Sequence, residues 1–213
     1  MDNYLVATSM NYGGAKTKEE AREAVGKALN FVGLSLEDVF GKYPHEFSGG
    51  QLQRASIARA LITNPQLLIA DEPVSMVDAS LRMSILNIFM DLKEKFKMNI
   101  IYITHDLSTA YYLSDDIAVM YRGSILEHGD AKKVLTDPLH PYTKILMQCL
   151  PEPDPKKRWK EEIKLSGLEI KEFEALNCKF ANRCPRAMDV CFKKKPPDIK
   201  VGGRTVKCWL FKA

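Results

Sequence analysis

Apolar and polar positions follow one another along the chain with two alternating periods, and the changes of period mark its elements. Between residues 17 and 32, Ala21, Ala24, Val25, Ala28, Leu29 and Val32 recur three and four apart with Lys, Glu and Arg between them. That spacing predicts an amphipathic helix ended near Gly33. A turn at Lys42-Tyr43-Pro44 leads to Ser48, a natural N-cap, after which Leu52, Ala55, Ile57, Ala58 and Leu61 predict a second helix up to Asn64-Pro65. Leu67-Leu68-Ile69-Ala70 is then a short continuous apolar run, the pattern of a strand buried on both faces, closed by Asp71-Glu72-Pro73. The alternation repeats with a helix over 79–97, an apolar strand over 100–103 closed by Thr104-His105-Asp106, and a helix over 107–113. Two strands around Arg122-Gly123 follow. Strand, helix, strand predicts an α/β fold with a parallel sheet flanked by helices.

Composition adds a boundary. Residues 1–136 hold 14 Lys+Arg against 17 Asp+Glu, whereas residues 137–213 hold 17 against 10. Asp137-Pro138 and the proline-rich run over 150–155 read as a boundary and a linker, so two domains are expected, 1–136 and 137–213. A basic tail suits nucleic acid, acidic lipid or an acidic partner, or is a solvated surface. At 213 residues and 46% hydrophobic, the chain is long enough for one good core. No basic flank followed by an apolar core opens it, and no stretch approaches the ~18 apolar residues of a spanning helix. A cytoplasmic protein is expected. Five cysteines are too few for a disulfide scaffold and point to thiols or metal ligands.

The chemistry is written at the strand ends, where ligands of open α/β sheets bind. A carboxylate just past a buried strand can hold Mg2+, and a second beside it can orient or deprotonate an attacking water during phosphoryl transfer. Asp71 and Glu72 offer that pair, and the imidazole of His105 can hydrogen-bond a terminal phosphate. Taken singly, each has a plain alternative as a helix cap or solvated turn. Ser48-Gly49-Gly50-Gln51 adds glycines with exposed N–H groups at a helix start whose dipole favours an anion. Its plain alternative is a capped turn.

In this order, the motifs resemble those of the ATP-hydrolysing subunit of an ABC transporter. Residues 46–54 are similar to the family signature, Leu67 to Glu72 to the Walker B strand, Ser75-Met76-Val77-Asp78 to the D-loop, and His105 to the switch histidine. The resemblance implies ATP and Mg2+ as cofactors, with Asp71 on Mg2+, Glu72 as general base and His105 on the γ-phosphate. It also implies Asp78 in the dimer contact, and Ser48, Gly49, Gly50 and Gln51 on ATP held by an opposing subunit. No G-x-x-x-x-G-K-[ST] sequence occurs. Gly13-Gly14-Ala15-Lys16-Thr17 follows the apolar run Tyr4-Leu5-Val6-Ala7 but lacks the first glycine, and is expected to be a polar connection into the helix at Thr17. The resemblance thus implies a partial nucleotide-binding domain without Walker A loop or Q-loop, inactive alone.

In the tail, Cys178, Cys184, Cys191 and Cys208 gather in a basic segment. Their spacing lacks the close pairs of structural zinc sites and leaves an iron–sulfur cluster, Zn2+ and unligated thiols open. His140-Pro141-Tyr142-Thr143 and the cysteine segment resemble the C-terminal extension of oligopeptide and dipeptide ABC transporter ATPases. That likeness implies a [4Fe-4S] cluster on the four cysteines, with Zn2+ as the alternative. It further implies import of di- or oligopeptides, at the inner face of the membrane, together with a second ATPase subunit (homo- or heterodimer), two transmembrane permease subunits and an external peptide-binding protein, with no nucleic acid. The alternative function is a non-catalytic metal-binding interaction module acting through the tail and the Ser48 loop.

Overall fold

The computed structural model describes residues 1–75, 77–149 and 176–212; the expected linker over 150–155 and Met76 of the D-loop-like segment lie outside them. The chain forms two compact units, Met1–Leu113 and Ser114–Ala213.

The first unit opens with four helices, α1 (Asp2–Tyr12), α2 (Lys18–Phe31), α3 (Leu36–Val39) and α4 (Gly49–Leu61). Caps set their starts. Thr17 accepts from the Glu20 amide at the head of α2, and Ser35 with Asp38, then Ser48 with Gln51, form reciprocal capping boxes on α3 and α4. Next come β1 (Leu67–Asp71), α5 (Ala79–Phe96), β2 (Asn99–Ile103) and α6 (Leu107–Leu113). The two strands are parallel, in register from Leu67 with Asn99 to Asp71 with Ile103. Val25 and Leu29 of α2, Ala55 and Ala58 of α4, Leu68 and Ala70 of β1, and Ile85, Phe89 and Leu92 of α5 share one core.

One element is new and one expectation changes. Tyr4-Leu5-Val6-Ala7 lies inside α1, a helix that the apolar run did not predict, and Gly13 caps it, so residues 13–17 form the expected polar connection, from one helix into the next. The strands, moreover, are not buried on both faces: Leu67 is 48% exposed, Ile69 62%, Ile101 48% and Ile103 47%. Among the described residues the sheet of this unit has two strands, and the core lies against only one side of it.

The second unit is an antiparallel sheet of order β3-β4-β6-β5, made of β3 (Asp116–Tyr121), β4 (Ser124–Asp130), β5 (Asp198–Val201) and β6 (Arg204–Lys207). Helices α7 (Ala131–Thr136), α8 (Pro141–Gln148) and α9 (Asp189–Lys193) accompany it. Compactness therefore divides the chain after Leu113, upstream of the expected 136/137 boundary. The hairpin pairs with the tail, Glu127 with Val206 and His128 with Thr205. At the crossing, Gly129 (φ +158°) admits Arg204 where a Cβ would stand 2.7 Å from Arg204 Cγ.

Arg204 is 7% exposed and Glu127 fully buried. Glu127 accepts the Leu139 and His140 amides at 3.0 and 2.9 Å, and Arg204 Nη1 stands 3.7 Å from its Oε1. The guanidinium also donates to the carbonyls of Lys133 and Asp137 and, at 3.1 Å, to Asp137 Oδ2. Each buried charge is partnered, as burial demands.

Candidate functional site

The two strand ends meet because the strands are in register. Glu72 follows Asp71, its amide donates to the Ile103 carbonyl at 2.9 Å, and Thr104-His105 leaves the neighbouring strand beside it. Glu72 has φ +47°, a left-handed conformation that costs a non-glycine residue roughly 1–3 kcal/mol and clusters at working sites. Ser75 closes the turn, its amide and Oγ donating to the Glu72 carbonyl at 3.2 and 2.9 Å. Glu72 is thereby aimed at the next strand: its Oε1 accepts the His105 amide at 3.1 Å and lies 2.7 Å from His105 Nδ1.

The pair faces water, with the His105 side chain 79% exposed. In the tautomer that donates from Nδ1, Nε2 stays free as an acceptor. A carboxylate in this position can take a proton from, or orient, a nearby water, and its neighbouring imidazole can bind an anionic oxygen. Asp71 is exposed, and its carboxylate makes no hydrogen bond or ion pair among the described residues, which suits a ligand for a hard divalent cation.

Ser48 stands elsewhere in the unit, at the head of α4. Its Oγ accepts the Gln51 amide at 3.3 Å while Gln51 Oε1 accepts the Ser48 amide at 3.0 Å. The expected cap is present, and Ser48 and Gly49 are exposed, while Phe47 before them packs half-buried against the core. Gly50 is buried for a different reason, since a Cβ there would stand 2.8 Å from Leu81 Cδ1 in the first turn of α5. Asp78 begins α5 without a side-chain cap; its carbonyl accepts the Leu81 and Arg82 amides at 2.9 and 3.1 Å.

Two residues that sequence reading left without a role adjoin this region. Asp106 Oδ1 accepts the Ser108 and Thr109 amides at 2.9 and 3.4 Å, and its Oδ2 lies 3.3 Å from Nη1 of Arg82. A cap after Thr-His was legible as a polar residue before a helix. Its partner across 24 residues was not.

The tail cysteines come out differently from the expectation of a metal centre. All four are free thiols, Cys178 and Cys184 half-buried and Cys191 and Cys208 buried. Among the described residues no group of three or more His, Cys, Asp or Glu side chains is arranged to hold a metal ion. Burial is the main reason that Cys178 is pushed up to about 11 and that Cys184 and Cys208 are also raised, with the neighbouring cysteines adding to it. Next to them Phe180 packs its ring edge against Tyr121 and Tyr142, with His140 alongside. His140 is buried, accepts the Tyr142 amide on Nδ1 at 3.0 Å, and is pushed down to about 4 by desolvation.

Residues 2–75 match the family described as ABC transporter, and residues 126–191 the one described as oligopeptide/dipeptide transporter, C-terminal region. The chain is 40% identical over 206 residues to the dipeptide transport ATP-binding protein DppF of Escherichia coli (strain K12), covering 96% of this chain and 59% of that protein. It is 42% identical over 180 residues to the oligopeptide transport ATP-binding protein OppF of Haemophilus influenzae (strain ATCC 51907 / DSM 11121 / KW20 / Rd), covering 84% of this chain and 54% of that one. The chain thus spans little more than half the length of these relatives. Among solved structures, the dimeric post-hydrolysis state of the ATP-binding cassette MJ0796 bound to ADP and Pi superposes with a TM-score of 0.54 at 27% identity, over 61% of this chain and 56% of that one.

Proposed function

Over the length that it matches, this chain belongs to the ATP-binding subunits of oligopeptide and dipeptide ABC transporters, and on that premise we propose that it carries the hydrolysing strand ends of an ATP site that drives import of di- or oligopeptides. The observation that carries the reading is the Glu72–His105 pair at the ends of two parallel strands, with Asp71 beside it. Asp71 would hold Mg2+, which neutralises phosphate charge when bound. Glu72 takes the proton of the attacking water, and the amide and ring of His105 hold its carboxylate in place. His105 presents its other ring nitrogen to the γ-phosphate.

Ser48, Gly49, Gly50 and Gln51 serve ATP on an opposing ATPase subunit, the same chain or a different one, and Asp78 belongs to the contact between the two. Two transmembrane permease subunits and an external peptide-binding protein complete the assembly at the inner face of the membrane. No helix among the described residues is long and apolar enough to cross a membrane. The β- and γ-phosphates find no Walker A loop in these 213 residues, and residues 13–17 have no strand before them.

For the tail, the finer reading of a [4Fe-4S] cluster, or Zn2+, on Cys178, Cys184, Cys191 and Cys208 draws on resemblance and on the mutual nearness of the thiols. The arrangement described does not fit a bound metal, and no step of the ATP cycle passes through it. Metal analysis of protein purified without oxygen decides the matter: about four irons per chain establish the cluster, and metal-free thiols remove it. Calorimetry of the 213-residue chain with Mg-ATP tests the division of the nucleotide site. Weak or undetectable binding is expected, and tight stoichiometric binding overturns it.

A further inference from the structure

Drawing its functional meaning from the ATPase reading above, we propose that Arg82 and Asp106 are positioning residues that tie the start of α5, where Asp78 sits, to the Glu72–His105 pair. Arg82 lies in the first turn of α5, its amide donating to the Asp78 carbonyl at 3.1 Å. Its Nη1 reaches across to Asp106 Oδ2 at 3.3 Å, with the two side chains 37% and 30% exposed. Asp106 is itself immobilised. Its amide donates to Thr104 Oγ1 at 3.0 Å, its Oδ1 caps α6, and its carbonyl accepts Thr109 Oγ1 at 2.9 Å and the Ala110 amide at 3.1 Å. The residue before it is His105, whose amide and ring both meet Glu72 Oε1.

The contacts therefore run in series from Asp78 through Arg82 and Asp106 to His105 and Glu72. Arg82 Nε is buried without a hydrogen-bond partner among the described residues. A half-buried guanidinium held by a single partner and carrying an orphaned donor contributes little as a stabilising pair. What it does supply is a fixed distance between a helix start and a loop. If Asp78 belongs to the contact between subunits, a shift of that contact moves Arg82, and Arg82 moves the segment that holds the Glu72 carboxylate.

Nitrogen-15 NMR of the 213-residue chain tests this through the ring nitrogens of His105 and the hydrogen exchange of its amide. Glu72→Gln should move the His105 ring signals, because it changes the acceptor that both groups share. Arg82→Ala should move them part of the way and speed exchange of the His105 amide by about five- to tenfold. Exchange in the middle of α5, at Ile85 and Phe89, should hold its rate, which a general loosening of the helix would not allow. Arg82→Lys, keeping the charge, should restore much of the difference. Asp106→Asn retains an Oδ1 acceptor for the amides of α6 and should repeat the Arg82→Ala result if that variant fails to fold. An unchanged His105 in Arg82→Ala and Asp106→Asn, with a response to Glu72→Gln, removes the strut and leaves the ATPase reading standing. No response to Glu72→Gln removes the pair on which both depend.

Discussion

The two units use the same small device to opposite ends. In each, a glutamate carboxylate captures the backbone amide of a histidine: Glu72 that of His105 at 3.1 Å, Glu127 that of His140 at 2.9 Å. Glu127 is fully buried, has the Arg204 guanidinium nearby and holds a second amide besides. It is a pin that fastens the hairpin to the chain leading into α8. Glu72 is itself left-handed, at a strand end, its side chain 36% exposed and that of its histidine 79%. Burial turns one carboxylate into structure, and exposure leaves the other able to exchange partners during a reaction. The histidines differ in the same way: His140 is held neutral by desolvation and caps a helix, whereas His105 keeps a ring nitrogen for a ligand.

This contrast can be broken at its buried end first. Glu127→Ala takes a buried carboxylate away from Arg204, leaving it Asp137, and strands the Leu139 and His140 amides, and should cost about 3–5 kcal/mol in urea unfolding of the second unit; an unmoved midpoint would show that the pin holds nothing. Next is pH. His140 has a folded-state value near 4 against about 6.5 when unfolded, so the unfolded chain binds the extra proton between those values. Its contribution is complete above pH 6.5 and is lost as pH falls toward 4, by roughly 3 kcal/mol in full. His140→Asn, still able to cap α8, should flatten that slope in denaturation curves taken across the window. Ser48→Ala should cost about 1 kcal/mol through the lost cap of α4, read in the same way. Smallest is Glu72→Gln, whose effect on stability should stay within about 0.5 kcal/mol. A loss comparable to that of Glu127→Ala would make the exposed glutamate another pin.

Local pattern carried much of the first unit. The boundaries of α2, α5 and α6, the cap at Ser48 and the polar strand ends at Asp71-Glu72 and His105 depend on neighbours within a few residues, and periodicity reports those directly. Helix α1 escaped because Asn3, Thr8, Ser9 and Asn11 interrupt any apolar stripe, and Tyr4 to Ala7 looked like a separate run. The open faces of β1 and β2 escaped because an apolar run says that a strand can be covered on both sides, not that the same chain covers it. Pairing of β4 with β6 joins residues nearly eighty positions apart, so Glu127 and Arg204 read as ordinary charged residues until the fold brought them together. The tail is the converse case. Cysteine spacing carried a resemblance to metal sites, whereas the burial that raises Cys178, Cys184 and Cys208 belongs to the packed structure.

The most direct measurement is ATP hydrolysis by the proposed transporter assembly with this chain in it, compared between wild type and Glu72→Gln at saturating Mg-ATP. Loss of the proton acceptor should lower the rate by at least about 100-fold. Hydrolysis at the wild-type rate with glutamine at position 72 would contradict the assignment of the exposed strand-end carboxylate as the group that works on water.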